Sequence, residues 1–461
     1  MTNLLRIKSL KEIILEAGKS ELKKNLGVTD LLLLGIGGII GTGIFLLAGL
    51  AAERYAGPAI TISFFLGGIA CIFTALAYAE LASMLPVAGS GYTYAYVTLG
   101  EMMAAINGWF ILMIYTFGGA TVASGWSGYM VGILESMGIH LPMQLTKIPT
   151  QGGWINLPAV LIVLFLSLFL LRGNKEASKL NGILVAVKLG AVFIFLVLSA
   201  PHINPVNWQV FAPNGFLGIA AGAGFVFMAY TGFDTLASAA EECKNPNRDL
   251  PIGIIGSLVG CAILYVIVAG VLTSIVPYTL LNNAEPMAFA MRSNGIQIGA
   301  KLVATGAVAA MTTVLLTQIY GQSRILLVMA RDGMMPACFS RVNKRYSTPH
   351  VGILMSGFVM ILITGFSPVA TLGQISSMAT LATFALVSIS VMIMRYKYPN
   401  ENRPFRCPAV YFIASFSTFL CLFLFAQLLP ENWKPFLLSL VIGAIAYFSY
   451  GYRKSTMALL K

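Results

Sequence analysis

The stretch Gly35-Ile-Gly-Gly-Ile-Ile-Gly-Thr-Gly-Ile-Phe45 lies in the middle of the first long apolar run of the chain. It is apolar enough for lipid and too rich in glycine for a good helix. Each glycine in a helix interior costs about 0.5–1 kcal/mol relative to alanine, and five glycines fall within nine residues here. The helix is therefore expected to open. An opened backbone exposes N–H and C=O groups, which in lipid must find partners. Such a break is tolerated where it lines a cavity or grips a ligand. The stretch reads as half of a binding site.

Composition sets the surroundings. The 461 residues are 57% hydrophobic and only 10% charged, with a mean hydropathy of +0.83. A soluble domain carries about 25% charged residues. The chain therefore reads as an all-α integral membrane protein, with no room for a sizeable soluble domain. Cys71, Cys243, Cys261, Cys338, Cys407 and Cys421 show no CxxC spacing, so neither disulfides nor a metal site are expected. His140, His202 and His350 form no metal constellation either. Residues 1–29 are polar and basic, with an amphipathic pattern at Leu10, Ile13, Ile14 and Leu15. They are expected to hold a helix on the membrane surface, and no cleavable signal peptide is read there.

A helix needs about 20 apolar residues to cross a bilayer. Twelve segments qualify: 30–52, 57–84, 97–135, 157–172, 180–200, 216–242, 251–277, 297–330, 350–367, 372–395, 408–429 and 434–453. An even number puts both termini on one side. With the termini inside, twenty-two Lys and Arg fall on the inner side and five outside: Arg54, Lys147, Arg292, Lys301 and Lys434. The positive-inside rule gives cytoplasmic termini. It also accounts for the net charge of +12 without nucleic acid as a partner. Short loops and the absence of targeting signals favour a bacterial inner membrane.

The sixth segment is interrupted in the same manner, at Gly222-Ala-Gly-Phe-Val-Phe-Met-Ala-Tyr-Thr-Gly-Phe-Asp234. Breaks in spans one and six are what two five-helix inverted repeats would give. The expected units are a surface segment (1–29), two repeats (30–200 and 201–395), and two extra spans with a short C-terminus (396–461).

At Gly41-Thr42-Gly43 the second half-helix presents free N–H groups and a partial positive charge, which suits a carboxylate. The carbonyls of Ile39 and Ile40, ending the first half-helix, can accept from an ammonium. One break thus reads both ends of an α-amino acid. Carbonyls near Phe227–Tyr230 are expected to complete the ammonium site, with Thr231 and Gly232 at the partner break. Asp234 suits a helix start and is given no substrate role. Lys188 lies in the fifth span about two turns, roughly 12 Å, from its inner end. An ionisable group at that depth is a functional candidate. Arg324 reads as snorkelling or ion-paired. Glu80, Glu241 and Glu242 read as partners for inner-side Arg or Lys.

Several motifs resemble the amino acid–polyamine–organocation superfamily, and within it the cationic amino acid transporters. They are Gly35–Phe45, Tyr55-Ala-Gly-Pro-Ala59, Tyr78-Ala-Glu-Leu81, Pro86-Val-Ala-Gly-Ser-Gly-Tyr-Thr-Tyr94 and Gly125-Trp-Ser-Gly-Tyr129. Tyr230–Asp234, Glu241-Glu-Cys-Lys-Asn-Pro-Asn-Arg-Asp-Leu-Pro251, Tyr320-Gly-Gln-Ser-Arg324 and Arg331-Asp-Gly333 continue the match. The resemblance implies the leucine-transporter fold, in which a bundle of spans one, two, six and seven moves against a scaffold. It implies a permease working by alternating access, without cofactor or covalent chemistry. It also implies a proton-coupling role for Lys188, whose ammonium would bridge the broken first helix and Thr312 or Thr313. The family carries Gly-Trp-Asp-x-x-x-Glu-Tyr in span three. Here the chain reads Gly108-Trp109-Phe110-Ile-Leu-Met-Ile114-Tyr115, and Ile114 stands at the pocket glutamate. Met228 stands where the family usually has an aromatic, with Phe227 beside it, and Gln318 stands at an often smaller or apolar position.

A cationic side chain in a dry pocket needs a counter-charge. The expected substrate is therefore a neutral L-amino acid, moved with protons or by exchange. A cationic substrate (arginine, lysine or ornithine) and a non-transporting amino acid sensor are the alternatives. No clustered His, Cys or paired carboxylates at mid-span suggest an enzyme. The oligomeric state is left open.

Overall fold

Apolar runs in lipid must satisfy their own backbone, and here they do so as helices. The computed structural model describes residues 6–8, 26–85, 89–172, 175–238, 243–343, 346 and 348–455. The expected surface helix around Leu10–Leu15, and Glu241 and Glu242, lie outside these residues.

The first span is split into α1 (Val28–Ile39) and a second half. That half runs through a π-helical turn (Gly43–Leu47), α2 (Ala48–Ala51) and a second π turn (Ala52–Ala56). Then follow α3 (Ile60–Met84), α4 (Ser90–Thr98), α5 (Glu101–Ser136), α6 (Leu157–Leu171) and α7 (Lys175–Ser199). The sixth span is again split, into α8 (Gly215–Val226), a 3-10 turn (Phe227–Tyr230) and α9 (Phe233–Ser238). The chain continues with α10 (Pro246–Ile275), α11 (Pro286–Ser293), α12 (Gln297–Arg331), α13 (His350–Phe366), α14 (Val369–Lys397) and α15 (Val410–Ala446). Seven helical runs among the described residues are long and apolar enough to cross a membrane, and four shorter apolar helices accompany them.

α6 shows how sequence becomes a lipid-facing span. Pro158 sits in its first turn, where no N–H is needed, and the Asn156 side chain accepts from the Ala159 N–H at 3.3 Å. Val163, Leu166 and Leu170 are buried, whereas Leu161, Leu164, Phe165 and Leu168 are exposed. The exposed stripe recurs at helical spacing and is as apolar as the buried one, as lipid contact requires.

The two expected last spans form one helical run, α15, with Pro430 and Pro435 inside it. The run nonetheless doubles back. The rings of Phe425 and Phe436 are 5.3 Å apart, whereas eleven residues of straight helix span about 16 Å. The Cys407 N–H, just before α15, meets Glu80 at 2.8 Å. Beyond it, the Tyr447 hydroxyl donates to Glu101 at 3.2 Å. The reversal places both ends of the run at the end of the bundle that carries Arg6 and Lys8, which pair with Glu101 and Asp332.

α1, α3, α8, α9 and α10 pack on one another, while α5 packs on α12, α13 and α14, and α7 lies along α12. The Lys244 N–H donates to the Leu26 carbonyl at 2.9 Å, tying the approach to α1 to the exit from α9. Glu80 holds Arg395 through contacts of 2.6 and 2.8 Å and lies 3.3 Å from Arg403. That is the expected pairing of a buried acid with basic groups at a span end.

Candidate binding site at two broken helices

The two breaks meet face to face. A Cβ at Gly43 would fall 2.2 Å from that of Ala229. Gly232 has φ +119°, which side chains disfavour, and a Cβ there would lie 2.7 Å from the Gly38 carbonyl. Glycine is required at both positions, one for approach and one for conformation.

Between the breaks lies a cavity. Gly38, Ile39, Gly41, Thr42 and Gly43 line it from the first span, and Met228, Ala229, Thr231, Gly232 and Asp234 from the sixth. α5 contributes Ile114, Tyr115 and Val122, and α12 contributes Val314, Thr317 and Gln318. The Thr42 hydroxyl is buried and unpaired. The Thr231 hydroxyl donates to the Met228 carbonyl at 2.7 Å, and the Gly232 N–H donates to Asp234 at 2.9 Å.

Three expected site residues do not line the cavity. The Ile40 carbonyl turns away, towards Lys188. The Phe227 ring packs edge-on against Phe384, with centroids 5.8 Å apart. The Tyr230 ring packs on Phe64 and Tyr265, and its hydroxyl donates to the Phe64 carbonyl. The reason is the 3-10 turn. Residues three apart eclipse one another in that geometry. Phe227 and Tyr230 therefore share the face turned into the core, and Met228 and Ala229 are left to the cavity.

Lys188 is fully buried. Its ammonium donates to the Gly37 carbonyl and, at 3.0 Å, to that of Ile40. The expected bridge to α12 is not made. The Thr313 hydroxyl donates to Ala310 in its own helix, and that of Thr312 donates to Val308 while accepting from Trp126. The Lys188 ammonium is instead taken up by the carbonyls at the open end of α1, which have no partner within their helix.

Tyr265 was not legible as a site residue. Its hydroxyl lies 2.8 Å from the Ile39 carbonyl and 3.0 Å from that of Ala229. It joins the carbonyl ends of both breaks. One O–H donates to one acceptor at a time, so a carbonyl lone pair stays available to a cationic ligand group. A lone tyrosine in mid-span was the only signal, and nothing in its spacing pointed to the breaks. Tyr115, Val122, Val314, Thr317 and the cavity position of Asp234 were also missed, because they depend on which faces of α5, α9 and α12 turn inward.

Apposed helix breaks offering N–H groups, carbonyls and a cavity among membrane-spanning helices define a solute carrier of the broken-helix class. Residues 26–447 match the amino acid permease family, and the chain belongs to it. It is 42% identical to the branched-chain amino acid permease BcaP of Bacillus subtilis (strain 168) over 461 residues, 99% of each chain. It is 38% identical to the methylthioribose transporter of the same organism over 459 residues, 99% of this chain and 100% of that one. A vacuolar cationic amino acid transporter 4 of Arabidopsis thaliana is 36% identical over 410 residues, 87% of this chain and 68% of that one. The chain is thus a multi-pass membrane transporter of the amino acid permease family and not an enzyme.

Proposed function

We propose that the protein is a proton-coupled permease for a neutral L-amino acid. The substrate carboxylate docks on the N–H groups of Gly41–Gly43 beside the Thr42 hydroxyl. The α-ammonium docks on the carbonyls that Tyr265 links. Lys188 couples transport to protons by holding or releasing the carbonyl end of α1.

The observation that carries the reading is the wall facing the substrate side chain. Ile114, Val122, Met228 and Val314 are apolar, and Gln318 is neutral. Asp234, the one acid among the described lining residues, caps the start of α9 through the Gly232 N–H. A guanidinium against Ile114, Val122, Met228 and Val314 would meet no counter-charge on that wall. The names of the relatives span branched-chain and cationic amino acids and a thiosugar, so the wall, rather than the family, argues for the substrate.

The packing of α1, α3 and α8–α10 supports a leucine-transporter fold, with the doubled-back α15 as spans eleven and twelve. The basic groups at the termini support a cytoplasmic placement of that end in a bacterial inner membrane. Uptake into proteoliposomes tests the function. Neutral amino acids should compete strongly and arginine poorly. Strong competition by arginine would return the cationic reading, and saturable binding without flux would make the protein a sensor.

A further inference from the structure

α12 carries two glutamines one turn apart, and their surroundings differ. The Gln322 amide donates to the Thr116 hydroxyl of α5 at 2.7 Å. Gln318 faces the next stretch of α5, Gly118-Gly119, which offers it no side chain. A Cβ at Gly118 would lie 3.2 Å from the Gln318 amide nitrogen and 3.1 Å from the Ser376 hydroxyl. Gln318 is only 7% exposed and lines the cavity. Its amide has no hydrogen-bond partner among the described residues, whereas the Ser376 hydroxyl donates to the Ile114 carbonyl at 3.3 Å. The glycine shelf therefore leaves one donor–acceptor group open to whatever fills the cavity.

From this geometry we infer that Gln318 is a specificity residue whose amide hydrogen-bonds a hydroxyl on the substrate side chain, so that threonine is preferred to valine. The inference rests on the neutral amino acid reading above and sharpens it. Threonine and valine have nearly the same shape and differ by a hydroxyl in place of a methyl. The methyl they share suits Ile114, Val122, Met228 and Val314. The other branch meets Gln318. A hydroxyl there replaces the water the amide loses, and a methyl leaves the amide buried and unpaired. The expected preference is about tenfold.

The test is competition by threonine and by valine against labelled substrate, in the native protein and in Gln318→Met, which keeps the length and removes the amide. The native protein should show the preference. The variant should lose it, mainly through weaker threonine binding. A preference unchanged in the variant, or absent in the native protein, overturns the inference. Should neither amino acid compete, the inference is overturned, and should no neutral amino acid compete, the reading it rests on fails as well. A measurement on the native protein alone covers a variant that does not fold. Threonine should raise the melting temperature more than valine or allo-threonine, whose hydroxyl points elsewhere. Equal shifts for all three overturn the inference.

Discussion

The Lys188 ammonium and the Ile40 carbonyl stand 3.0 Å apart, one buried in α7 and the other at the open end of α1. The last carbonyls of a helix have no partner within it. In a dry interior each unpaired group costs about 1–3 kcal/mol. A protonated lysine holds two of them through charge-assisted hydrogen bonds, and a neutral amine, though it keeps two N–H donors, holds them only through weaker neutral ones. The protonation state of Lys188 therefore bears directly on the half-helix that would move during transport. Lys188→Ala should leave uptake flat across pH, where the native protein should respond to an inward proton gradient if it works as proposed. Counterflow under equal pH would show whether the variant still exchanges substrate. A variant with native pH dependence would reduce Lys188 to a structural tie.

Tyr265→Phe removes a single hydroxyl and leaves the ring against Phe64 and Tyr230. The carbonyls of Ile39 and Ala229 then lose their shared donor.

 The Ala229 carbonyl and its counterpart at Ile39 would each be left to the substrate ammonium or to nothing. The expected result is a destabilisation of about 1–3 kcal/mol, seen as a lower melting temperature without substrate. Substrate should restore part of that loss, because a ligand that binds the folded state stabilises it. An unchanged melting temperature would mean that the two carbonyls are satisfied without Tyr265.

Ile114→Glu restores an acid at the position where the resembling cationic transporters carry one. Arginine should then compete at concentrations where it is ineffective against the native protein, and competition by neutral amino acids should weaken. The measurement is inhibition of labelled uptake by both classes. Failure to gain arginine competition would show that Ile114 does not face the substrate side chain.

Tyr55 closes the half-helix after the first break. Its hydroxyl donates to Glu431 at 2.8 Å, in the reversal of α15, and the Gln374 amide of α14 donates to Tyr55 and to Glu431. The Tyr129 hydroxyl holds the same half-helix through the Phe45 carbonyl at 2.6 Å. Opening the cavity on this side would require these bonds to part. Tyr55→Phe should raise labelling of a cysteine placed at Val122 by a membrane-impermeant reagent applied from that side. Unchanged labelling would make the cluster a permanent structural tie.

Local composition was enough to locate the breaks. Glycine destabilises a helix wherever it stands, so Gly35–Gly43 and the residues up to Gly232 announced themselves without any knowledge of their neighbours. Lys188 was legible for a similar reason, since a charge in an apolar run needs an explanation in any fold. The helical runs follow from the length of apolar sequence alone. The last two expected spans fall in one continuous helical run, which folds back at the prolines between them.

Directions in space were not legible. Phe227 and Met228 are adjacent, and only the eclipsed geometry of the 3-10 turn sends one to the core and the other to the cavity. The sequence by itself determined where the backbone would open and where a buried charge would sit, because both depend on local propensity and on the cost of polar groups in lipid. Tertiary structure decided which groups satisfy the opened backbone. Hydrogen bonds act over about 3 Å, and the partners of Ile39, Ile40 and Ala229 come from helices well over a hundred, or in one case thirty-six, residues away.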